Sequence, residues 1–139
     1  MFRTLDDTIM VAGQIQPADL AEAKAQGVKM VINNRPDDEQ PGQPSSAEIQ
    51  AAAQAAGLDY VAIPVTHAGF SAPQVDAMRS ALESADGRVL AFCRSGTRST
   101  LLWALARASM GDDLDTLQAK AEGAGYDLTS IRPILNRMV

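Results

Sequence analysis

The chain is organised around one stretch, Arg88-Val89-Leu90-Ala91-Phe92-Cys93-Arg94-Ser95-Gly96-Thr97-Arg98-Ser99, followed directly by the run Thr100–Ala108. The segment before Cys93 is short, apolar and partly β-branched or aromatic, which is typical of a buried strand. The alanine- and leucine-rich run after Ser99 predicts a helix with a continuous apolar face. A tight loop therefore joins strand and helix, and it brings a thiol and several free backbone N–H groups to one point. Such a point is an anion site.

Length and composition predict one compact domain over residues 1–139. The chain has 139 residues, 46% of them hydrophobic, and a formal net charge of −5, and a chain of this length can bury a self-sufficient core. The acidic balance argues against a nucleic-acid surface, and no apolar run is long enough to cross a bilayer. The single cysteine excludes an internal disulfide, and with a single histidine it makes a poor zinc site. We expect no metal, no cofactor, and no nucleic-acid or membrane partner.

The first residues bear on localisation. Met1–Asp7 lack the basic patch and the apolar core of a secretory signal, so we expect a cytoplasmic protein. The oligomeric state is left open by the composition.

Predicted strands alternate with predicted helices along the chain. The predicted strands are Thr8–Ala12, Val28–Ile32, Leu58–Val65 and the segment ending at Phe92. The predicted helices are Ala18–Gln26, Ala47–Ala56, a helix capped by Ser71 and running to Ser84, one ending at Ser109, Leu114–Glu122, and Ser130–Arg137. Glycine, proline and N-cap signals set their ends. This alternation predicts a single α/β domain with a mainly parallel central sheet flanked by helices.

Three loops leave the carboxyl ends of predicted strands, namely Asn33–Pro44, Thr66–Phe70 and Cys93–Arg98. Ligands of such sheets bind at the carboxyl ends of the strands, so these loops can share one rim. Asn33–Pro44 contains three prolines and an acidic cluster, and loops of this length in small domains are often functional. For Tyr126, in the break before the last helix, we predict only an anchoring role.

The loop after the central strand has the composition of an activated thiol site. The thiolate is the nucleophilic form of cysteine, and both a helix start and a nearby Arg98 favour it. Gly96 lets successive N–H groups face a common centre. We predict that Cys93 and Arg98 are catalytic. The predicted anion-binding residues are Arg94, Ser95, Gly96, Thr97 and Ser99, the three hydroxyl groups being candidate donors to the sulfur. The competing interpretation is a small buried core cysteine.

The spacing within this loop separates two known loop types. Cysteine-dependent phosphatases carry cysteine, five residues and then arginine, usually with histidine before the cysteine. Rhodanese-type sulfurtransferases often carry only four residues between cysteine and arginine. In this chain Phe92 precedes Cys93, four residues separate Cys93 from Arg98, and Ser99 stands where a phosphatase would have its arginine. The spacing resembles the rhodanese loop.

A wider set of motifs resembles one family over nearly the whole chain. These motifs are Val31–Ser46, Ile63–Val65, Phe92–Thr100 and Gly125–Leu128. Together they resemble the beta-lactamase-hydrolase-like, phosphatase-like domain family. The resemblance implies a dual-specificity-phosphatase-like, cysteine-phosphatase-like α/β fold with a Cys loop. It also implies a link to bacterial sulfide and persulfide handling, where such domains occur fused or adjacent to persulfide-oxidising enzymes.

Phosphoester hydrolysis by a cysteine needs a thiolate, a guanidinium that grips two oxygens, and an acid for the leaving oxygen. In the phosphatase families that acid is an aspartate on the loop that here is Thr66–Phe70, which has no carboxylate. The remaining candidates are His67 within that loop and Asp37 or Asp38 in the long loop. Arg35 can orient the long loop or contact a ligand, but a solvated side chain is an equally simple interpretation.

Sulfur transfer needs no general acid, because sulfite or a thiolate leaves readily. The arginine spacing and the missing acid therefore predict a sulfurtransferase that carries sulfur as a Cys93 persulfide. Its expected partners are a small thiol, persulfide or anionic substrate and, by the family resemblance, a persulfide-oxidising enzyme. The alternative is a phosphatase with a Cys93 phosphocysteine intermediate. A second alternative is a non-catalytic anion-binding domain.

Overall fold

A computed structural model describes residues 2–138 as a five-stranded sheet covered by helices on both faces. The strands are β1 (Arg3–Asp6), β2 (Ile9–Ala12), β3 (Val28–Asn33), β4 (Asp59–Ala62) and β5 (Arg88–Phe92). The helices are α1 (Leu20–Ala25), α2 (Ser46–Ala55), α3 (Ala72–Ser84), α4 (Thr97–Ser109), α5 (Leu114–Gly123) and α6 (Arg132–Arg137). The order β1-β2-β5-β3-β4 makes β5 the central strand. Only β1 is antiparallel, so the prediction of a mainly parallel α/β sheet is confirmed.

The core forms two layers because successive side chains of each strand point to opposite faces of the sheet. Val89 and Ala91 of β5 face α3, α4, α5 and α6, whereas Leu90 and Phe92 face α1 and α2. The α4 helix is buried on nearly every side, which explains its continuous apolar sequence. Trp103 on this helix is 1% exposed, so its predicted place in the core is confirmed.

Three elements differ from their predictions. The edge strand β1 was not predicted, because only Leu5 of its four residues is buried and the rest are polar. The strand β4 ends at Ala62 rather than Val65, although the Ile63 and Val65 N–H groups still donate to the Asn33 and Asn34 carbonyls at 2.8 and 2.9 Å. The predicted helix Ser130–Arg137 is a short 3-10 turn followed by α6, which begins at Arg132.

The start of α4 also differs from its prediction, and this difference shapes the site. The helix begins at Thr97, two residues before Ser99, and Gly96 caps it in the left-handed conformation with φ of 90°. A side chain would be strained there, whereas glycine adopts this conformation freely. The first turn of α4 therefore lies inside the Cys93 loop, and its free N–H groups belong to the site. Within residues 2–138, no helix combines the length and apolarity needed to span a bilayer.

Candidate active site

Cys93 directly follows the central strand, and its side chain is completely buried. Its backbone N–H donates to the Ala12 carbonyl at 3.3 Å, which continues the pairing of β5 with β2 beyond the last strand residue. Its Sγ atom accepts the Gly96 N–H at 3.1 Å. The left-handed Gly96 turns this N–H back toward the sulfur, so one N–H of the loop meets the thiol.

Arg98 is held at the site by two loops that leave the neighbouring strands. Its Nη1 donates to Glu39 Oε2 at 2.8 Å and to the Val65 carbonyl at 2.7 Å, and its Nη2 donates to Glu39 Oε1 at 2.8 Å. The hydrogen bonds that Arg98 donates to Glu39 raise the pKa of Arg98, and Cys93 raises it further. Arg98 therefore interacts electrostatically with Cys93, although the loop is one residue shorter than the phosphatase loop.

Glu39 is a site residue that the sequence analysis did not identify. Its carboxylate accepts the two bonds from Arg98 and a third from Arg35 Nε at 2.8 Å. The Arg98 hydrogen bond, with help from Arg35, lowers the pKa of Glu39 to about 2 despite partial burial. The carboxylate is thus ionised at neutral pH, and it links two arginines that would otherwise repel one another.

Arg35 organises the long loop from inside the protein. It is only 3% exposed, so the interpretation as a solvated side chain was wrong. Besides Glu39, its guanidinium donates to Gln14 Oε1 and Gln40 Oε1, each at 3.0 Å. Its backbone N–H donates to Asn33 Oδ1 at 2.9 Å. A buried charge with these partners fixes the long loop.

Tyr126 forms one wall of the Cys93 loop rather than merely anchoring the last helix. Its hydroxyl donates to the Ser95 carbonyl at 2.9 Å and lies against Gly96, where a side chain on residue 96 would collide with it. Arg3 lies over the ring at 5.6 Å from the centroid. Burial raises the pKa of Tyr126, so the phenol is neutral at physiological pH.

The hydroxyl groups of the loop do not donate to the sulfur as expected. Ser95 Oγ donates to Thr97 Oγ1 at 3.1 Å, and both residues are exposed because the left-handed Gly96 turns the loop outward between them. Ser99 is fully buried, and its Oγ has no hydrogen-bond partner among the described residues. Arg94 is exposed on the rim. The backbone N–H of Gly96, rather than a hydroxyl, is the donor that reaches Cys93.

The chain is similar to known proteins in both sequence and fold. Residues 1–110 match the family described as the phosphatase-like domain of the beta-lactamase hydrolase-like protein. The chain belongs to this family. A beta-lactamase hydrolase-like protein of Agrobacterium fabrum is 39% identical over 134 residues, which are 96% of this chain and 31% of that protein. The chain therefore spans less than a third of that relative.

Solved structures share the fold of this phosphatase-like domain. A candidate phosphatase from Neisseria meningitidis Z2491 is 33% identical and has a TM-score of 0.85, covering 99% of this chain and 97% of that one. A candidate phosphatase from Shewanella putrefaciens CN-32 has a TM-score of 0.75 at 21% identity, covering 99% and 89%. At 21% identity, the similarity to the Shewanella protein shows a shared fold only. The predicted family and the cysteine-phosphatase-like fold are both confirmed.

The three candidate acids of this phosphatase-like domain do not contact the thiol. Asp37 is exposed, and its Oδ1 caps α2 by accepting the Ser46 N–H at 2.8 Å. Asp38 is exposed with φ of 62°. His67 is exposed and forms no side-chain hydrogen bond with the described residues. In this conformation, Glu39 is the carboxylate that the long loop contributes to the site.

Two residues that shape the site, Glu39 and Tyr126, were missed for the same reason. Glu39 stands in a run of three acidic residues and lies 59 positions from Arg98, and Tyr126 lies 31 positions from Ser95. No local spacing connects such distant positions. The only sequence signal for Glu39 was its position four residues after Arg35, a spacing common in solvent-exposed ion pairs.

Proposed function

We propose that this phosphatase-like domain hydrolyses phosphate monoesters with Cys93 as the nucleophile. The observation that carries the proposal is the Cys93 thiol that accepts the Gly96 N–H at 3.1 Å at the start of α4, with Arg98 in the first turn of that helix. These groups supply positive charge and hydrogen-bond donors where a tetrahedral dianion would sit over the sulfur. Donors held in place before the substrate arrives stabilise the charge that develops during phosphoryl transfer.

The proposed reaction has two displacements at phosphorus. The Cys93 thiolate attacks the phosphorus, a sulfur–phosphorus bond forms, and the ester oxygen leaves with the electrons of the broken phosphorus–oxygen bond. Water then attacks the phosphorus of the phosphocysteine, the sulfur–phosphorus bond breaks, and the thiolate is regenerated. The water supplies the oxygen of the released phosphate and, in total, the proton that the alcohol product gains. Arg98 and the loop N–H groups bind the phosphoryl oxygens in both steps.

The supply of a proton to the leaving oxygen determines which phosphate esters the proposed phosphatase can hydrolyse. Glu39 is ionised and occupied by two arginines, so it is a poor donor for a departing alkoxide. The exposed candidate acids have no contact with the thiol in this conformation. Esters whose oxygen leaves as a stabilised anion, such as aryl phosphates, need the least help from an acid. We therefore expect aryl phosphates to react much faster than alkyl phosphates.

Sulfur transfer, the activity expected first from the sequence, is the second candidate. Its support is the four-residue spacing together with the lack of an acid in contact with Cys93 among the described residues. In this reaction the thiolate attacks the outer sulfur of thiosulfate, sulfite leaves, and Cys93 becomes a persulfide. Cyanide then takes the outer sulfur as thiocyanate and the thiolate returns. No net oxidant or reductant is needed beyond these reactants.

The comparisons support the phosphatase proposal over sulfur transfer. The family description names a phosphatase-like domain, and the Neisseria relative, which matches over its whole length, is described as a candidate phosphatase. Nothing in these comparisons points to sulfur transfer. A partnership with a persulfide-oxidising enzyme and a cytoplasmic location remain predictions from the sequence.

A paired assay tests both candidates with the same protein. Purified wild type and Cys93→Ser are each given p-nitrophenyl phosphate in one reaction, and thiosulfate with cyanide in another. Phosphate release that disappears in Cys93→Ser supports the phosphatase proposal. Thiocyanate formation without phosphate release, lost in the same variant, overturns it in favour of sulfur transfer. Turnover of neither substrate by the folded wild type leaves the non-catalytic anion-binding alternative.

A further inference from the structure

The hydrogen bonds of Arg98 divide its guanidinium into an occupied and a free part. An arginine has five N–H donors in one plane. Three of them are used, two on Nη1 and one on Nη2, by Glu39 and the Val65 carbonyl. The Nε–H and the second Nη2–H have no oxygen partner among the described residues. These two donors lie on the same edge of the plane, and together they form a fork that fits two oxygens of a phosphate.

The neighbouring contacts show that Glu39 is itself firmly held. Its Oε1 accepts from both Arg35 and Arg98, and its Oε2 accepts from Arg98. Arg35 is buried and hydrogen-bonded to Gln14 and Gln40, so it holds the Glu39 carboxylate from a fixed position. The side chain of Glu39 is 18% exposed, and that of Arg98 is 12% exposed. Neither group has the freedom of a surface ion pair.

We propose that Glu39 is a positioning residue that fixes the guanidinium of Arg98 so that its free edge meets an oxyanion bound at Cys93. The inference rests on the proposed function, because that oxyanion is the phosphoryl group of the substrate. With four residues between Cys93 and Arg98, the arginine leaves the backbone one position earlier than in the phosphatase loop. Its contacts with Glu39 and the Val65 carbonyl set the direction of the guanidinium.

A competing role for Glu39, in which its carboxylate occupies Arg98 in place of the substrate, would give the opposite experimental result. If the carboxylate merely competed with the substrate for Arg98, removing its negative charge would strengthen anion binding. If it positions Arg98, removing it weakens anion binding even though the site becomes more positive. The glutamine of Glu39→Gln keeps the shape but turns an amide N–H₂ toward an arginine donor. The sign of the change therefore separates the two roles.

The test is a ³¹P NMR titration with inorganic phosphate at constant ionic strength, using the whole chain. Asp38→Asn is the matched control, since it removes the same charge from the neighbouring exposed residue, and asparagine tolerates its left-handed backbone. We expect Glu39→Gln to weaken phosphate binding by about tenfold or more, and Asp38→Asn to leave it unchanged or slightly stronger. Equal or tighter binding in Glu39→Gln overturns the proposal.

Two further variants test whether the length of the Glu39 side chain matters and whether Glu39 acts through Arg98. Glu39→Asp keeps the charge but is one methylene too short to hold Arg98 from the same backbone position. The proposal predicts weaker binding for this variant, and wild-type binding overturns it. In an Arg98→Lys background, Glu39→Gln should have almost no further effect, because the two residues act as a unit. An undiminished effect there would mean that Glu39 acts elsewhere. Urea unfolding of each variant verifies that the compared proteins are folded.

If phosphate binding responds as expected but no ester is hydrolysed, the proposed function fails and the positioning role stands. Absence of phosphate binding in wild type overturns the positioning role.

Discussion

The acid sensitivity of the fold offers a sharp test of the Glu39 network. The pKa of Glu39 falls from 4.5 to about 2 in the folded protein, which at about 1.36 kcal/mol per unit corresponds to about 3 kcal/mol of stability as an upper value. Because the folded-state pKa is lowered, this stabilisation is present above pH 4.5 and is lost as the pH falls towards 2. By pH 3, roughly three-fifths of it should have disappeared.

The perturbation is Glu39→Gln, and the assay is urea unfolding of both proteins at pH 7, 5 and 3. Protonated glutamate and glutamine are both neutral, so the variant resembles the wild type in acid. We expect the difference in unfolding free energy to be about 2–3 kcal/mol at pH 7 and about 1 kcal/mol at pH 3. The other carboxylates titrate in both proteins and cancel in the difference. A difference that does not change with pH would refute the reasoning, because the loss would then come from packing rather than charge.

Three further predictions concern the walls and rim of the site. Gly96→Ala should lower the unfolding free energy by about 1–3 kcal/mol in urea and reduce turnover at least tenfold, because φ of 90° is strained for alanine and its Cβ meets the Tyr126 hydroxyl. Tyr126→Phe should cost about 1 kcal/mol in the same assay through the lost hydrogen bond to the Ser95 carbonyl; no loss would mean that water replaces it. His67→Asn should change kcat on p-nitrophenyl phosphate by less than about twofold, and a large drop at low pH would instead identify His67 as the acid.

Most of the architecture could be predicted from the sequence because its signals are local. Apolar β-branched segments, helix formers and caps such as Ser45 and Ser71 repeat along the chain, and each marks an element independently of the rest. The alternation then implies a parallel sheet. The edge strand β1 lacks such a signal, since a short edge strand with one buried side chain resembles an exposed loop. Its pairing with β2 depends on a neighbour and not on its own composition.

The candidate site was predictable only in part, for the same physical reason. Cys93, Gly96 and Arg98 lie within six residues and are joined by one turn, so the spacing alone brings them together. Glu39 and Tyr126 reach the loop through the folding of distant segments. In the sequence, Asp37, Asp38 and Glu39 are three similar acidic residues, whereas the conformation of the long loop brings only Glu39 into contact with Arg98. Choosing among them required the position of Arg98 in space.

The strand order explains why the site depends on the long loop. Because β3 lies between β5 and β4, the segments that follow β3 and β4 both lie on the same side of Cys93. Arg98 takes one partner from each segment, Glu39 from the first and the Val65 carbonyl from the second. The sheet itself makes no use of Glu39. An insertion or deletion between Asp37 and Gln43 should therefore displace Glu39 and reduce the activity that depends on Cys93. The strands and most of the unfolding free energy should be retained.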